Sequence, residues 1–198
     1  MAGPDFSYED QIGGIVCGID EVGRGPLAGP VIAAAVILVR PLPDFLAKHL
    51  NDSKKVSAAR REQLAAALPD CALIGIGRAE VGEIDQVNIL QATFLAMRRA
   101  AEQIVFDHAL IDGNRPPPLG LPLTCIIQGD SLSLSIAAAS IVAKVARDRE
   151  MAELAAAFPG YGWESNAGYG TAEHLAALRQ WGPTPHHRRS FAPVRELA

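Results

Sequence analysis

The sequence has little cysteine, no long apolar run and no large excess of one charge. Its three cysteines, Cys17, Cys71 and Cys125, are too few and too scattered for a disulfide framework, and no C-x-x-C pair suggests a zinc site. The longest apolar run, Val31 to Val39, is too short to cross a bilayer. The first ten residues lack the basic and then apolar segments of a signal peptide. We therefore expect a protein without membrane contact in a reducing compartment, most simply the cytoplasm.

The composition is that of an ordinary globular protein. Of 198 residues, 49% are hydrophobic and 20% are charged, which is enough apolar material for a core and too much for a disordered chain. We predict a flexible tail over residues 1–11 and a single domain over residues 12–198. Eighteen Lys and Arg against 22 Asp and Glu give a net charge of −4, which at first sight argues against a nucleic-acid partner. Because a total hides where the charges lie, that inference stays open.

Apolar runs separated by glycine, proline and polar clusters predict a mixture of strands and helices. The predicted strands cover residues 15–21, 31–39, 71–77, 108–111 and 123–128. The predicted helices cover residues 58–68, 82–104, 134–157 and 172–181. The first three strands can pair as hairpin neighbours, whereas the later ones need helical crossovers. The fold class is therefore α/β, with a mixed sheet and helices at the C-terminal end.

Four acidic residues stand at the ends of predicted strands, beside glycines. Asp20 and Glu21 end the first strand, Asp112 ends the fourth and Asp130 follows the fifth. Ligand sites in open α/β sheets form at strand ends where the strand order switches. Four carboxylates at one sheet edge would repel each other unless cations neutralised them, and Mg²⁺ prefers oxygen ligands. Two such ions, about 3.5–4 Å apart, are the usual apparatus for in-line attack on a phosphodiester.

An alternative interpretation treats these acids as unrelated. Asp at a strand end is common turn chemistry, which is a sufficient account of Asp112 or Asp130 taken alone. It is weaker for Asp20 and Glu21, because two adjacent acids at the end of a buried strand are costly. Adjacent strand residues also point to opposite faces of a sheet, so both can reach one site only if the chain twists there. The neighbouring glycines permit such a twist.

A glycine-rich segment, Gly23-Arg24-Gly25, follows the first strand. Backbone amides in such a turn can form a concavity that binds an anion or a hydroxyl, since no side chain blocks close approach. The spacing of Gly23, Gly25 and Gly29 matches neither G-x-G-x-x-G nor a Walker A loop, which argues against a nucleotide cofactor. A plain tight turn is the alternative.

The C-terminal region is basic although the whole chain is acidic. Residues 174–195 contain no acid, and their basic and imidazole side chains are His174, Arg179, His186, His187, Arg188, Arg189 and Arg195. Tyr169, Trp181 and Phe191 are interleaved with them, and this composition suits phosphate contact and stacking. We expect a histidine-rich, phosphate-facing surface, with His174 on the exposed face of a helix. The alternative is a tail that packs Phe191 and Val194 on the core.

The long predicted helix carries a further candidate. Lys144 and Asp148 are four residues apart, and an ordinary helical salt bridge explains them. A contact between Lys144 and a substrate phosphate is the weaker alternative.

Together these motifs resemble the type 2 ribonucleases H, the bacterial ribonuclease HII family. The opening signature is Gly-Ile-Asp-Glu-Val-Gly-Arg-Gly-Pro at residues 18–26, with Ala-Gly-Pro at 28–30. The other motifs follow in the family order over about residues 14–194. They are Asp52-Ser53-Lys54-Lys55, Ile84-Asp85, Ile111-Asp112-Gly113, Gly129-Asp130, residues 137–149, Gly168-Tyr169-Gly170-Thr171 and residues 185–191. No single motif is specific, but the combination is.

The resemblance implies a ribonuclease-H-like fold, with a mixed five-stranded sheet flanked by helices. It also implies a metal-dependent endonuclease that hydrolyses the RNA strand of RNA–DNA hybrids. The same activity would include incision at single ribonucleotides embedded in duplex DNA, leaving 3′-hydroxyl and 5′-phosphate ends. The cofactor would be Mg²⁺ or Mn²⁺, with two divalent ions acting in the presence of substrate.

By the same resemblance, the catalytic and metal-binding carboxylates are Asp20, Glu21, Asp112 and Asp130. Gly23, Arg24 and Gly25 would recognise the neighbouring phosphate and the 2′-hydroxyl, the group that distinguishes RNA from DNA. Tyr169 would stack on the sugar that follows the ribonucleotide and so check for an RNA-to-DNA junction. Two further candidates for substrate contact are Lys144 and Arg188.

The resemblance also predicts the partners and leaves two rival functions. We expect a monomer that binds RNA–DNA hybrids and ribonucleotide-containing DNA, with no obvious tail for docking a sliding clamp. Asn166-Ala167 stands where the family often has a lysine, which removes one phosphate contact. A catalytically silent nucleic-acid-binding subunit is one rival, and the four acids argue against it. Another nuclease of this fold, such as a junction resolvase, is the second, and the hydroxyl-reading loop argues against that.

Overall fold

The computed structural model describes residues 3–197 and contains five strands and eight α-helices over that range. In chain order these are α1 (Ser7–Ile12), β1 (Val16–Val22), β2 (Val31–Leu38), α2 (Asp44–His49), α3 (Ala58–Ala67), β3 (Ala72–Ala79), α4 (Val81–Ala101), β4 (His108–Asp112), β5 (Leu123–Ile126), α5 (Leu134–Ala157), α6 (Trp163–Asn166), α7 (Ala172–Trp181) and α8 (Ala192–Arg195). Single 3₁₀ turns cover Leu68–Asp70 and Gly129–Ser131.

The five strands form one mixed sheet in the order β3-β2-β1-β4-β5. β1, β2 and β3 are antiparallel neighbours, while β1, β4 and β5 run parallel. The predicted mixed sheet and hairpin pairing are therefore confirmed. α4 makes the crossover from β3 to β4, but residues 113–122 connect β4 to β5 as a loop, without the helical crossover expected between the later strands. Three consecutive prolines at 116–118 explain the difference, because proline lacks the N–H that a helix needs.

The sheet is buried between helices on both faces. β2 is buried along its whole length, and its alternate residues face opposite sides. Ala33 and Ala35 join the apolar cluster beneath α4, whereas Ala34 and Val36 join the cluster beneath α5. α5 approaches β1 so closely at Gly18 that an added Cβ would lie 2.1 Å from the Ser135 carbonyl carbon, which requires glycine there.

The helix boundaries follow local capping chemistry. The predicted bounds of α5 and α7 are confirmed, and the side chains of Ser133 and Thr171 cap their first turns. α4 differs from the continuous helix predicted over residues 82–104. Asn88 interrupts it with a φ of +73°, and its side chain accepts hydrogen bonds from the amides of Leu90 and Gln91. A second helical segment therefore begins at Asn88 inside an unbroken apolar stripe.

The N-terminal segment differs from the flexible tail expected over residues 1–11. Residues 1 and 2 lie outside the described part of the chain, but residues 7–12 form α1. Glu9 is buried and accepts hydrogen bonds from the Ser133 hydroxyl (2.7 Å) and the Ser135 amide (3.0 Å) at the start of α5. Asp5 pairs with Ser133 in an isolated β-bridge. This segment therefore packs against the domain, because its carboxylate satisfies donors at a helix N-terminus.

The three cysteines are free thiols. Cys17 is fully buried, whereas Cys71 and Cys125 are half-buried and pack against the two apolar clusters. None of the helices formed by residues 3–197 has the length and apolarity that a membrane span requires.

Candidate active site

Three carboxylates converge at one edge of the sheet. Asp20 lies near the end of β1, Asp112 is the last residue of β4, and Asp130 lies in the 3₁₀ turn after β5. One carboxylate oxygen from each lies within 4.8 Å of the other two. They meet because β1, β4 and β5 are parallel neighbours whose carboxyl ends share an edge. The predicted convergence of these three acids is thus present in the fold.

The cluster carries unfavourable negative charge. Burial raises the pKa of the Asp20 carboxyl well above its usual range, and the charges of Glu21 and Asp112 raise it further. Burial, followed by the charges of Asp112 and Asp52, raises the pKa of Asp130 to about 6. A divalent cation would offset this repulsion, and an all-oxygen donor set is what hard cations prefer. The residues present therefore fit a metal centre.

Glu21 lies outside this group of three, on the other face of the sheet. Asp20 is paired across the sheet with Ala34 and Glu21 with Ala33, so their side chains point to opposite faces. Glu21 Oε1 accepts a hydrogen bond from Arg24 Nη1 at 3.3 Å. Burial raises the pKa of Glu21, and the Arg24 guanidinium partly offsets that effect. The alternation of strand residues thus separates Glu21 from the three-carboxylate group.

Asp112 connects the two faces. Together with Glu21 it lines a cavity of about 180 Å³, whose rim includes Arg24, Asn114 and Arg115. Its Oδ1 also accepts a hydrogen bond from the Gly129 amide at 2.7 Å, which fixes it beside the turn that carries Asp130. Asp112 is therefore common to the three-carboxylate group and to the cavity beside Glu21.

The glycine-rich loop lies next to the carboxylates. Gly23 adopts a φ of +94°, and an added Cβ would lie 2.3 Å from Arg147 Nε, so only glycine fits. Arg24 and Gly25 are exposed, and Gly25 faces the ring of Tyr169, which is 50% exposed. The structure thus brings the predicted loop and the predicted stacking tyrosine together.

Arg188 differs from the substrate contact expected of it. The side chain is fully buried and donates to the carbonyl oxygens of Gly23 (2.5 Å), Arg24 (3.0 Å) and Gly29 (2.8 and 3.0 Å). Because its guanidinium is occupied by backbone acceptors, Arg188 cannot reach a phosphate at the surface. Its role in the structure is to hold the glycine-rich loop from beneath.

Arg147 complements this support from α5. It is also buried, and it donates to the carbonyl oxygens of Ala28 (3.1 Å), Pro30 (3.1 Å) and Ala167 (3.0 Å). Ala167 belongs to the segment that carries Tyr169. One guanidinium therefore joins the loop after β1 to the loop before α7.

Lys144 makes the predicted salt bridge on α5. Its Nζ lies 2.5 Å from Asp148 Oδ1, and the lysine side chain is about one-fifth exposed. The proposed contact between Lys144 and a phosphate stays a prediction.

The histidine-rich surface expected near the C-terminus is wrong for two of its three histidines. His174 and His187 are 0% and 1% exposed and pack against the rings of Tyr161 and Trp163. The alternative, a segment packed on the core, is confirmed by the complete burial of Val194. The exposed basic residues of the segment are Arg179, Arg189 and Arg195. The sequence signal for the burial of the two histidines was the aromatic pair Tyr161 and Trp163, just before α7.

No role was predicted from the sequence for Asp52 and Asp85, but both make contacts in the structure: Asp52 at the carboxylate site and Asp85 in the segment that carries Arg188. Asp52 raises the pKa of Asp130, which places the Asp-Ser-Lys-Lys motif beside the metal-binding candidates. The carboxylate of Asp85 accepts hydrogen bonds from the amides of Arg189 (3.0 Å) and Ser190 (2.9 Å). Asp52 and Asp85 both belong to motifs that the chain shares with the ribonuclease HII family, and that membership was the sequence signal for a role.

Comparisons with known proteins agree with this geometry. A family model described as Ribonuclease HII matches residues 17–194. Ribonuclease HII of Paramagnetospirillum magneticum is 65% identical over 194 residues, covering 96% of each chain. Ribonuclease HII of Rhodospirillum rubrum is 64% identical over 199 residues, covering 98% of this chain and 91% of the relative.

A solved structure extends the agreement to the fold. The PCNA:RNase HII complex from Archaeoglobus fulgidus matches with a TM-score of 0.77 at 25% identity, over 90% of this chain and 95% of that one. The five-stranded mixed sheet with flanking helices is thus that of a ribonuclease-H-like fold. From its sequence and its fold together, the chain belongs to the ribonuclease HII family and is a ribonuclease H.

Proposed function

We propose that this enzyme hydrolyses the RNA strand of RNA–DNA hybrids and also incises duplex DNA at single embedded ribonucleotides. The products would carry 3′-hydroxyl and 5′-phosphate ends. The observation that carries the proposal is the convergence of Asp20, Asp112 and Asp130 beside an exposed glycine loop that faces Tyr169. A metal-binding group and a group able to read ribose then lie side by side on one surface.

The carboxylates would hold two divalent cations, Mg²⁺ or Mn²⁺. Asp20, Asp112 and Asp130 would bind one, and Glu21 with Asp112 would contribute to the second. Such ions, when bound, activate water and balance the charge that develops at the phosphate. The protein's own contribution is to fix the acids on two parallel strands and on the tight turn after a third, so that little reorganisation is needed during reaction.

Substrate recognition would come from the loop and the tyrosine. RNA differs from DNA at one position by a single hydroxyl, so a reader must approach the sugar closely. Gly25 leaves the exposed backbone accessible, and Gly23 provides the left-handed turn that presents it. Arg24 lies on the exposed side of the loop, where a phosphate can reach it. The half-exposed ring of Tyr169 would stack on the next sugar. All of these groups belong to one chain, which supports a monomeric enzyme. We also propose that the enzyme acts in the cytoplasm.

A cleavage assay on a matched set of duplexes tests the proposal. The set contains one, four or many consecutive ribonucleotides, with an all-DNA duplex as control, each assayed in Mg²⁺, Mn²⁺ and EDTA. We expect cleavage of every ribonucleotide-containing duplex in a divalent cation, none in EDTA and none of the all-DNA duplex. Cleavage of the all-DNA duplex would indicate a resolvase-like nuclease. Binding without cleavage in both metals would indicate a silent subunit.

A further inference from the structure

A buried row of hydrogen bonds ends on the backbone carbonyl of Tyr169. The Thr184 amide lies 2.9 Å from His187 Nδ1. His187 Nε2 lies 3.0 Å from His174 Nε2, and His174 Nδ1 lies 2.9 Å from the Tyr169 oxygen. Neither histidine belongs to the carboxylate group, and their burial keeps them from contact with substrate.

The groups at the two ends of the row fix the position of each proton. The Thr184 amide can only donate, so His187 Nδ1 accepts and His187 Nε2 carries the proton. The Tyr169 carbonyl can only accept, so the proton of His174 is on Nδ1. The single lone pair of His174 Nε2 is then shared by two donors, His187 Nε2–H and the indole N–H of Trp163 at 3.1 Å. All the hydrogen bonds are consistent with two neutral rings, and burial lowers the pKa of both.

The segment that carries Tyr169 has few other contacts that could orient the tyrosine side chain. The backbone turns through Ala167 (φ +48°) and Gly168 (φ +84°), and the ring of Tyr169 is half exposed. The segment is therefore held by hydrogen bonds to its backbone, among them the one from Arg147 to the Ala167 carbonyl. The Tyr169 amide donates to Asn166, and its carbonyl accepts from the Thr171 amide (2.8 Å) as well as from His174.

We propose that His174 and His187 are positioning residues that set the orientation of Tyr169 for substrates with an RNA-to-DNA junction. The inference rests on the proposed function of Tyr169. His174 acts directly on the Tyr169 carbonyl, and His187 keeps His174 in the donating tautomer. A purely structural pair would instead affect every substrate equally through folding.

Two substitutions of His174 separate the positioning role from simple packing. Asn places an amide near the position of imidazole Nδ1 and Gln near Nε2, so His174→Asn keeps a donor for Tyr169, whereas His174→Gln keeps only the acceptor for Trp163 and His187. Both polar residues are accommodated in the first turn of α7, which Thr171 caps. Tyr169→Ala and a Tyr169→Ala, His174→Gln double variant complete the set.

Backbone order and substrate preference are measured on each full-length protein. NMR relaxation reports the order parameter of the amides of residues 168–171, and cleavage rates report the ratio of the single-ribonucleotide duplex to the long hybrid. We expect His174→Gln to lower the order parameters and to reduce that ratio about tenfold, the size of one lost hydrogen bond. His174→Asn should keep the order parameters and stay within about threefold of the wild-type ratio. Adding His174→Gln to Tyr169→Ala should change the ratio no further.

The outcomes distinguish this inference from the function on which it rests. Unchanged order parameters in His174→Gln, or equal effects of Asn and Gln on both readouts, would overturn the positioning role. Loss of order in His174→Gln would support it, and a normal ratio in Tyr169→Ala alongside that loss would overturn only the junction role of Tyr169.

Discussion

Gly25 lies directly against the ring of Tyr169, so that a Cβ at this position would stand 3.2 Å from Tyr169 Cε1. We expect Gly25→Ala to push the ring away by a few tenths of an ångström and to lower kcat/KM on a single-ribonucleotide duplex about tenfold. The fold should be unaffected, since Gly25 is exposed.

Gly82→Ala is the matched control for that substitution. A Cβ at Gly82 meets nothing within 4 Å, and the residue lies in the first turn of α4. It should leave kcat/KM unchanged and keep or slightly raise thermal stability, because alanine favours helix. Equal activity of Gly25→Ala and wild type would show that the contact between Gly25 and Tyr169 does not shape the site.

Asp112→Asn should strongly reduce the cleavage rate while making the metal-free protein more stable. The amide oxygen can still accept the Gly129 hydrogen bond, but the charge that raises the pKa of Asp20 and Asp130 is removed. We expect a loss of about 10²-fold or more in cleavage rate. In EDTA the melting temperature should rise by about 2–4 °C.

Melting curves with and without Mg²⁺ check this prediction, and Asp70→Asn, an exposed acid, is the control. Mg²⁺ should stabilise the wild type and Asp70→Asn more than Asp112→Asn. A melting temperature for Asp112→Asn below that of the wild type in EDTA would contradict the proposed charge repulsion.

Arg188→Lys should destabilise the protein without changing how salt affects substrate binding. Lysine cannot supply the forked donors that satisfy the carbonyls of Gly23, Arg24 and Gly29. We expect urea denaturation to show a loss of about 2–4 kcal/mol in the free energy of unfolding. Its exposed neighbour gives the control, since Arg189→Lys should change that free energy by less than about 0.5 kcal/mol. If Arg188 contacted phosphate instead, stability would hold and the salt dependence would weaken.

Because of His187, the free energy of unfolding of the wild type should decrease as the pH is lowered. Burial, followed by the neighbouring His174 and His186, lowers the pKa of His187 from 6.5 to about 4. Between these values the unfolded chain binds more protons than the folded one, so the free energy of unfolding decreases as pH falls. For one such group the decrease from pH 7 to pH 5 is about 2 kcal/mol.

Urea denaturation of the wild type and His187→Gln at pH 7 and pH 5, both in EDTA, isolates this contribution. The carboxylate cluster titrates in both proteins and cancels in the comparison. Tyr161, Trp163 and Thr184 also face His187 but do not change charge in this range. His174, whose pKa is lowered by burial, also faces it and is present in both proteins. The stability advantage of the wild type over His187→Gln should shrink at pH 5, and a constant difference would contradict the prediction.

Several elements were predictable because local chemistry fixes them. The bounds of α5 and α7 follow from a capping Ser or Thr before a periodic apolar segment and a glycine or proline after it. The break in α4 was missed because Asn88 interrupts a stripe that is still apolar on both sides. The short helix at Ser7–Ile12 was missed because its reason for ordering is Glu9, whose partners lie more than a hundred residues away in the chain.

The sequence by itself determined the family, the five strands and three carboxylates that meet where parallel strands end. It could not decide that Glu21 lies outside that group of three, that Arg188 supports a loop, or that His174 and His187 are buried. Those outcomes depend on which face of the sheet a side chain occupies and on which distant carbonyls or rings surround it. Burial and hydrogen-bond partners are properties of tertiary packing, so the same Arg and His residues that indicate a basic surface in the sequence form an internal support for the site in the fold.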